Sequence, residues 1–469
     1  MKKEEFKRLN DYLWEISQSF RSDMKVPARI YATKKMLEET EPDAIEQVIN
    51  VATLPGIVDY SLAMPDIHTG YGFVIGGVAA FRVSDGVISP GGIGFDINCG
   101  IRLLKSNLLA DEIKQKIDEL ATEIQRQVPS GLGRSHKVKL GINELDKILE
   151  GGAQELVRQG YGEKEDIENC EANGRLEWTD ASVVSLTAKN RGRDQVGTLG
   201  SGNHFCEVQR VEEIFDERVA KVFGLFKNQT IIMIHTGSRG LGHQIATDYL
   251  RIMVQTVQKY GIQIPDRQLA VCPFNSIEGQ KYFKAMAAGA NFAWANRQMI
   301  THYIRQSWEN VFGNENLDVL YDVAHNIAKL EGNLLVHRKG ATRAFPANHP
   351  EIPEKYRSVG QPVLIPGSMG TASYILHGTE EAKESFYSTC HGAGRTMSRH
   401  AATRALSGQE IVRNLENKGI IVKCYSWRGI AEEAPQAYKN IDEVVEVVHR
   451  AGLSKKVAKL IPLAVIKGE

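Results

Sequence analysis

The residue types best able to hold a transition metal are scattered along this chain, each beside glycine in a turn-like segment. Asp96 and Cys99 lie in S-P-G-G-I-G-F-D-I-N-C-G, His204 in G-T-L-G-S-G-N-H-F, His235 in I-I-M-I-H-T-G-S-R-G, His325 in D-V-A-H-N and His391 in C-H-G-A-G-R. A structural metal clip is local in sequence, whereas a catalytic centre gathers ligands from distant segments and keeps positions open. The spread therefore points to an assembled catalytic site. Asp96 and Cys99, three residues apart, can present a carboxylate and a thiolate to one ion or to a bridged pair. With imidazoles at 204, 235 and 325 the donors mix O, N and S, a set that suits Mn, Zn or Fe and disfavours Mg or Ca.

Other segments add anion chemistry. L-I-P-G-S-M-G-T-A-S-Y (364–374) runs from a strand into small residues with free N–H groups, a cradle for a nucleotide phosphate that lacks the Lys-Ser/Thr ending of a Walker loop. In C-H-G-A-G-R a histidine precedes an anion-binding turn, as nucleophile, ligand or simply a buried turn residue. Asp66 and His68 in M-P-D-I-H-T-G-Y-G-F offer an acid and a base whose roles spacing does not decide. His243, His302, His337, His349, His377, His400 and His449 read as structural or surface residues.

Composition excludes several classes. Lys plus Arg equals Asp plus Glu at 57 each, and the pI is near 7.2, so no global basic field advertises nucleic acid. Polyanions must be met by local clusters, of which the candidates are Arg191 and Arg193, Arg239, Arg338 with Lys339 and Arg343, and Arg395 with Arg399. Six unpaired-looking cysteines in 469 residues form no disulfide framework and fit a reducing cytoplasm. The start M-K-K-E-E-F-K-R-L-N lacks a signal peptide's apolar stretch, and no apolar run approaches the roughly 20 residues that span a bilayer. A soluble, intracellular protein is expected. Glycine reaches 43 residues, about 9% where about 7% is usual, and the excess flanks the polar residues named above.

The elements that must position these residues follow from periodicity. Ile113, Ile117, Leu120 and Ile124 predict an amphipathic surface helix over 111–127, and further scaffold helices are expected over 243–259 and 279–311. Strands are predicted at 74–81, 100–104, 230–234, 318–324, 333–337, 362–366 and 420–425. His235 and His325 directly follow such runs, the position where open sheets present ligand groups. No regular βαβ period, repeat or linker is visible. The expected fold is α+β, one large mixed domain over 1–469 with interleaved helices and mixed sheets.

Taken together, M-P-D-I-H-T-G-Y-G-F, G-G-I-G-F-D-I-N-C-G, G-T-L-G-S-G-N-H-F, H-T-G-S-R-G-L-G, H-R-K-G-A-T-R-A-F-P, G-S-M-G-T-A-S-Y and H-G-A-G-R resemble the RtcB-type RNA ligases, from about residue 20 to the terminal I-K-G. In that family GTP and Mn²⁺ drive joining of an RNA 3′-phosphate or 2′,3′-cyclic phosphate to a 5′-hydroxyl, in tRNA splicing and RNA repair. The resemblance implies that Cys99 bridges two Mn²⁺ ions, with His235 and His325 on one and Asp96 and His204 on the other. It implies His391 as the nucleophile that takes guanylate. The nucleotide pocket would comprise Asn203, His204, Phe205, Cys206 and Glu207, His325 and Asn326, Pro366, Gly367, Ser368 and Met369, Ser373, His391, Gly392, Ala393 and Gly394, Tyr438 and Lys467. Lys467 implies that the C-terminus folds back into the site.

RNA phosphates would be met by Arg191, Arg239, Lys339 and Arg395, a stripe that a neutral chain can carry. Cys206 stands where a larger apolar residue is expected and is read as packing, as is Cys390. The chain is read as a monomer, and some family members use an archease-type activator. Two rivals share parts of this pattern. A dimetal RNA-end phosphodiesterase or phosphatase would use the same ligands with water and has no need of His391. A non-catalytic RNA-binding repair protein would keep the metal for folding alone.

Overall fold

In the computed structural model, residues 5–131, 139–313 and 316–468 are described. Apolar runs too continuous to leave a face in water build its centre. Gln229–Thr236 is buried at every position, as expected of a strand covered on both sides. It lies in a sheet of eight strands whose order is Leu317–Ala324, Gly100–Leu109, Gln229–Thr236, Phe205–Ile214, Ser454–Lys467, Ser373–Gly378 and Pro362–Ile365, with Ile421–Cys424 also pairing on Ser454–Lys467. A second sheet of seven strands runs from Lys7–Arg8 through Leu13–Ile16, Ala28–Tyr31, Ile57–His68, Ile75–Arg82 and Leu334–Lys339 to Asn326–Glu331. Neighbours are antiparallel except Ile421–Cys424 on Ser454–Lys467 and Ala28–Tyr31 on Ile57–His68. The fold is α+β, as expected.

All seven expected strands are present with shifted ends. Twelve more among the described residues were not expected, the five longest being Ile57–His68, Phe205–Ile214, Asn326–Glu331, Ser373–Gly378 and Ser454–Lys467. Polar residues hide them. F-C-E-V-Q-R-V-E-E-I places Glu207 and Gln209 in the interior, and S-K-K-V-A-K-L-I-P-L-A-V-I-K places Lys467 there. The 111–127 helix forms as Ala110–Ile113, a 3₁₀ turn and Ile117–Gln127, with all four isoleucine and leucine positions buried. The helix expected at 243 begins four residues earlier, at Arg239, so part of the H-T-G-S-R-G-L-G motif is helical.

One helix, Ile277–Phe312, runs 36 residues, roughly 54 Å at 1.5 Å per residue. Ser276 starts it by accepting the Gly279 N–H at 3.0 Å, an N-cap bond. Its middle is buried on all sides, which forces small side chains and leaves Asn291, Asn296, Arg297 and Gln298 inside the protein. Arg297 Nε and Nη2 donate to the two oxygens of Asp322 at 2.9 and 2.8 Å, and Arg102 Nε donates to Asp322 Oδ2 at 2.7 Å. All three side chains are fully enclosed.

Strand register determines where the site falls. Ala324 faces Gly100, Gly100 faces Thr236, Ile101 and Phe205 both face His235, and Lys467 faces Phe205. Five adjacent strands therefore begin or end along one edge of the eight-stranded sheet. Truncating the carboxylate at the centre of the buried charge group strands two guanidinium ions. Asp322→Ala is expected to destabilise the fold by about 3–5 kcal/mol, read as a large fall in the urea unfolding midpoint.

Candidate active site

The sheet edge carries the ligand candidates. Cys99 precedes Gly100–Leu109, His204 precedes Phe205–Ile214, His235 is the penultimate residue of Gln229–Thr236, and His325 follows Leu317–Ala324. His235 thus lies within its strand rather than after it. Antiparallel order explains the mixture, because strand starts and strand ends alternate along an edge. Cys99, His235 and His325 form one group of possible metal ligands and Asp96, Cys99 and His204 another, with ligand atoms within 4.8 Å of one another in each. Cys99 Sγ lies 3.4 Å from His204 Nε2 and 3.3 Å from His235 Nε2, and His204 Nε2 lies 2.8 Å from Asp96 Oδ2.

Electrostatics suit a cation. Burial pushes His235 and His325 well below the usual imidazole value, and neighbouring imidazoles add to it. Burial also lowers His204. In all three, burial favours the neutral imidazole, the form that ligates a metal. Burial opposes the Asp96 charge, yet the His204 imidazole beside it holds the carboxyl well below the usual range. Burial and the Asp96 charge push the Cys99 thiol up, an effect that a bound cation reverses by favouring thiolate. His235 Nδ1 is buried without a partner among the described residues. Neutral imidazoles, a thiol and a carboxylate in one buried cluster fit a borderline-soft metal ion.

The turns bearing these ligands are held from behind. Arg297 Nη1 donates to Asn98 O and Thr236 O, each at 2.9 Å, the residues next to Cys99 and His235. Asn296 Oδ1 accepts from Gly197 N and Thr198 N, and its Nδ2 donates to Thr198 O and Gly237 O. Sequence reasoning treated this helix as scaffold. The signal was an arginine and two asparagines inside an Ala- and aromatic-rich run.

A cleft of about 380 Å³ opens beside the ligands, lined among others by His68, Asn203, Phe205, Asn326, the Pro366–Met369 turn, His391 to Gly394, Tyr438 and Lys467. His391 follows the short strand Ser388–Cys390. Its Nδ1 lies 2.5 Å from Asp66 Oδ2, which also accepts the His391 N–H at 2.9 Å. Burial opposes the Asp66 charge, and the adjacent His391 imidazole more than offsets this, so the carboxyl lies below its usual value. A carboxylate on Nδ1 fixes the tautomer and leaves Nε2 as the reactive nitrogen. Gly394, at φ 71°, is required here, since a Cβ would lie 2.2 Å from Asp66 O. Spacing alone gave Asp66 no role. The ring centroids of His391 and His325 are 5.0 Å apart, so the oriented imidazole adjoins the ligand cluster. His68 Nδ1 is 2.8 Å from Asp66 O, and burial lowers its pKa to about 4.

Not every sequence candidate reaches the cleft. Cys206 points to the opposite face of its strand and packs with Val208, Ile232 and Ile466, as alternation after Phe205 requires. Glu207 and Ser373 lie behind the wall, each bonded to Gln209 Nε2 at 2.6 and 3.1 Å. Burial raises the Glu207 carboxyl to about 8, and its Oε1 has no partner among the described residues. Lys467 Nζ donates to Gly202 O at 2.7 Å, and burial lowers it to about 8. Cys390 is fully buried in the apolar core.

The basic candidates divide. Arg338 and Arg343 are not solvated surface, because they are buried and paired with Glu331 and Glu351. Lys339 is buried too, donating to Tyr71 O and Phe73 O at 3.0 and 2.7 Å, yet it lines the cleft. Arg239 lies beside His204 Nδ1 at 3.4 Å. Arg191 is exposed and donates to Gln244. Arg395 lines the cleft, bonded to Glu433 and Tyr438.

An α+β scaffold that brings two ligand triads, an Asp-oriented histidine and a nucleotide-sized cleft to one sheet edge defines an enzyme active site. Residues 47–468 match the family described as tRNA-splicing ligase RtcB. Proteins of that name from Thermococcus kodakarensis and Archaeoglobus fulgidus are each 54% identical to this chain, over 476 and 475 residues and 98% of both partners. One from Methanococcus maripaludis is 53% identical over 98% of this chain and 99% of its own. The chain belongs to the RtcB family. Because Cys99 is common to both triads, Cys99→Ala is expected to abolish divalent-metal binding in both, whereas His325→Ala spares the Asp96–Cys99–His204 triad. Calorimetric titration checks this, with the thiolate-to-Co²⁺ absorption band as a second readout.

Proposed function

We propose that this protein is a GTP- and Mn²⁺-dependent RNA ligase that joins 3′-phosphate or 2′,3′-cyclic phosphate ends to 5′-hydroxyl ends through a guanylyl-His391 intermediate, in tRNA splicing or RNA repair. The observation that carries this reading is the Asp66–His391 pair facing the cleft beside the ligand triads. A phosphodiesterase that activates water has no use for an imidazole so oriented, and a binding module has none for the open triads.

Each of the chain's groups has a part in the cycle. Cys99 would be shared between two metal ions, with His235 and His325 on one and Asp96 and His204 on the other. Manganese there would supply Lewis acidity that offsets charge on the reacting phosphates. His391 Nε2 attacks the α-phosphorus of GTP, a P–N bond forms and the bond to pyrophosphate breaks. Asp66 keeps the Nδ1 hydrogen and balances the positive charge the ring acquires. A 2′,3′-cyclic phosphate is first opened by water, which breaks the P–O2′ bond and leaves a 3′-phosphate and a 2′-hydroxyl. A 3′-phosphate oxygen then attacks the guanylyl phosphorus, breaking the P–N bond and returning His391. The 5′-hydroxyl then attacks the activated 3′-phosphate, loses its proton and displaces GMP.

The cleft supports a guanine nucleotide. The Pro366–Met369 turn and Lys467 line the cleft, with Glu207 behind its wall, while the Gly367 and Ser368 N–H groups are taken within the turn by Ser373 Oγ and Thr371 Oγ1 at 3.1 and 2.8 Å. Among the described residues no helix is long and apolar enough to cross a membrane, and all six cysteines are free. Both observations support action in a reducing cytoplasm, where Cys99 stays available as a ligand.

Incubation with α-labelled GTP and Mn²⁺ is expected to give an acid-labile, alkali-stable adduct that His391→Ala abolishes while still binding metal. Undiminished labelling of that variant removes His391 as nucleophile. Absence of any adduct, with metal-dependent opening of a cyclic phosphate, favours the phosphodiesterase. Asp66→Asn is expected to slow labelling by up to about 10⁴-fold, the size of the effect where an amide imposes the wrong tautomer.

A further inference from the structure

We propose that the basic surface leading out of the cleft between Arg395 and Ala431 is the track for single-stranded RNA, with Trp427 as its base-stacking residue. The inference rests on the ligase reading and names where the polymer substrate runs. In a chain with 57 charges of each sign, residues 395–431 carry seven Lys and Arg against two Glu. The local field is therefore basic where the whole protein is neutral, and this excess begins at the active site.

Arg399 stands at the mouth. It lines the cleft, its Nε donates to Glu433 Oε1 at 3.1 Å, and its side chain is 53% exposed. The helix Arg399–Ala405 carries Arg404 outward, where its Nε donates to His400 O and no carboxylate pairs with it among the described residues. Next to it lies a shallow depression lined by Thr403, Leu406, Trp427 and Arg428.

Trp427 is 50% exposed, whereas Trp14, Trp294 and Trp308 are buried. Nothing in the fold requires an indole there: the helix Trp427–Glu432 is started by Ser426, which accepts from Gly429 N. An aromatic face in water, flanked by guanidinium groups, is the composition that binds single strands, since every base can stack and every linkage carries charge. Arg428 is 70% exposed and lies 3.6 Å from Glu432 Oε1, whereas Arg404 has no carboxylate partner among the described residues, so a protein partner without an acidic residue here would leave Arg404 desolvated and unpaired.

The test is anisotropy of 3′-phosphorylated RNA on the full-length protein, using an oligonucleotide of about 12 residues, within the span a single-strand groove covers, and a dinucleotide too short to leave the cleft. Trp427→Ala is expected to weaken the longer RNA roughly five- to a hundredfold and leave the dinucleotide unchanged, while Trp427→Phe retains affinity. The double variant Arg404→Ala, Arg428→Ala is expected to lower the slope of log affinity against log salt by about 1.4, at about 0.7 per lost phosphate contact. Equal affinity of Trp427→Ala for the longer RNA, or an equal loss with both RNAs, overturns the track. GTP labelling without RNA separates this from the ligase reading. A wild-type protein that takes no label overturns that reading, whereas normal label with unchanged RNA affinity overturns the track alone.

Discussion

Arg297 donates all its N–H directions inside the protein: to both oxygens of Asp322, to Asn98 Oδ1 and O, and to Thr236 O. A buried guanidinium without partners would cost several kcal/mol, so its hydrogen-bond acceptors are held strictly in place. Two of them are main-chain carbonyls adjoining Cys99 and His235. The same ion also faces Asp322, on the strand that leads to His325. One enclosed charge thereby links three of the ligand-bearing segments, and the long apolar helix exists in part to deliver it there. Asn98, held at φ 54°, shows the consequence, since a non-glycine residue keeps that conformation only when its surroundings over-determine it.

The sheet does the gathering. Antiparallel strands bring a residue before one strand alongside a residue ending the next, so Cys99, His204, His235 and Lys467 meet on one edge although up to several hundred residues separate them. The second sheet supplies Asp66, and the turn after Ser388–Cys390 supplies His391. The Asp66–His391 pair and the ligand triads are thus carried by different layers, and the cleft is the seam between them.

Charge is partitioned by function. Arg102, Arg297, Arg338 and Arg343 are enclosed and balanced by carboxylates, which consumes cationic residues that composition alone counts as surface. Lys339 and Lys467 are buried against carbonyl groups instead, and burial lowers their pKa values to about 7 and 8. Such lysines gain from an anionic ligand in the cleft. Arg399 at the mouth is instead half-exposed, so one guanidinium beside the cleft remains in solvent although the protein as a whole is neutral.

By itself the sequence determined the chemistry on offer. The donor types of Asp96, Cys99, His204, His235 and His325, the H-G-A-G-R turn and the α+β class follow from residue identity and local periodicity. The amphipathic helix around Ile113 to Ile124 and strands such as Gln229–Thr236 were legible for the same reason. Phe205–Ile214 and Ser454–Lys467 were not, because their polar residues are stabilised by neighbours distant in the chain rather than by solvent. Only the tertiary structure decided that Asp66 orients His391 and that Arg297 holds the turns, and it supplied the register by which Cys99, which the family resemblance implies is shared, stands in both triads. Each depends on strand order and register. Register is set by the packing of whole faces, which no local run of residues encodes.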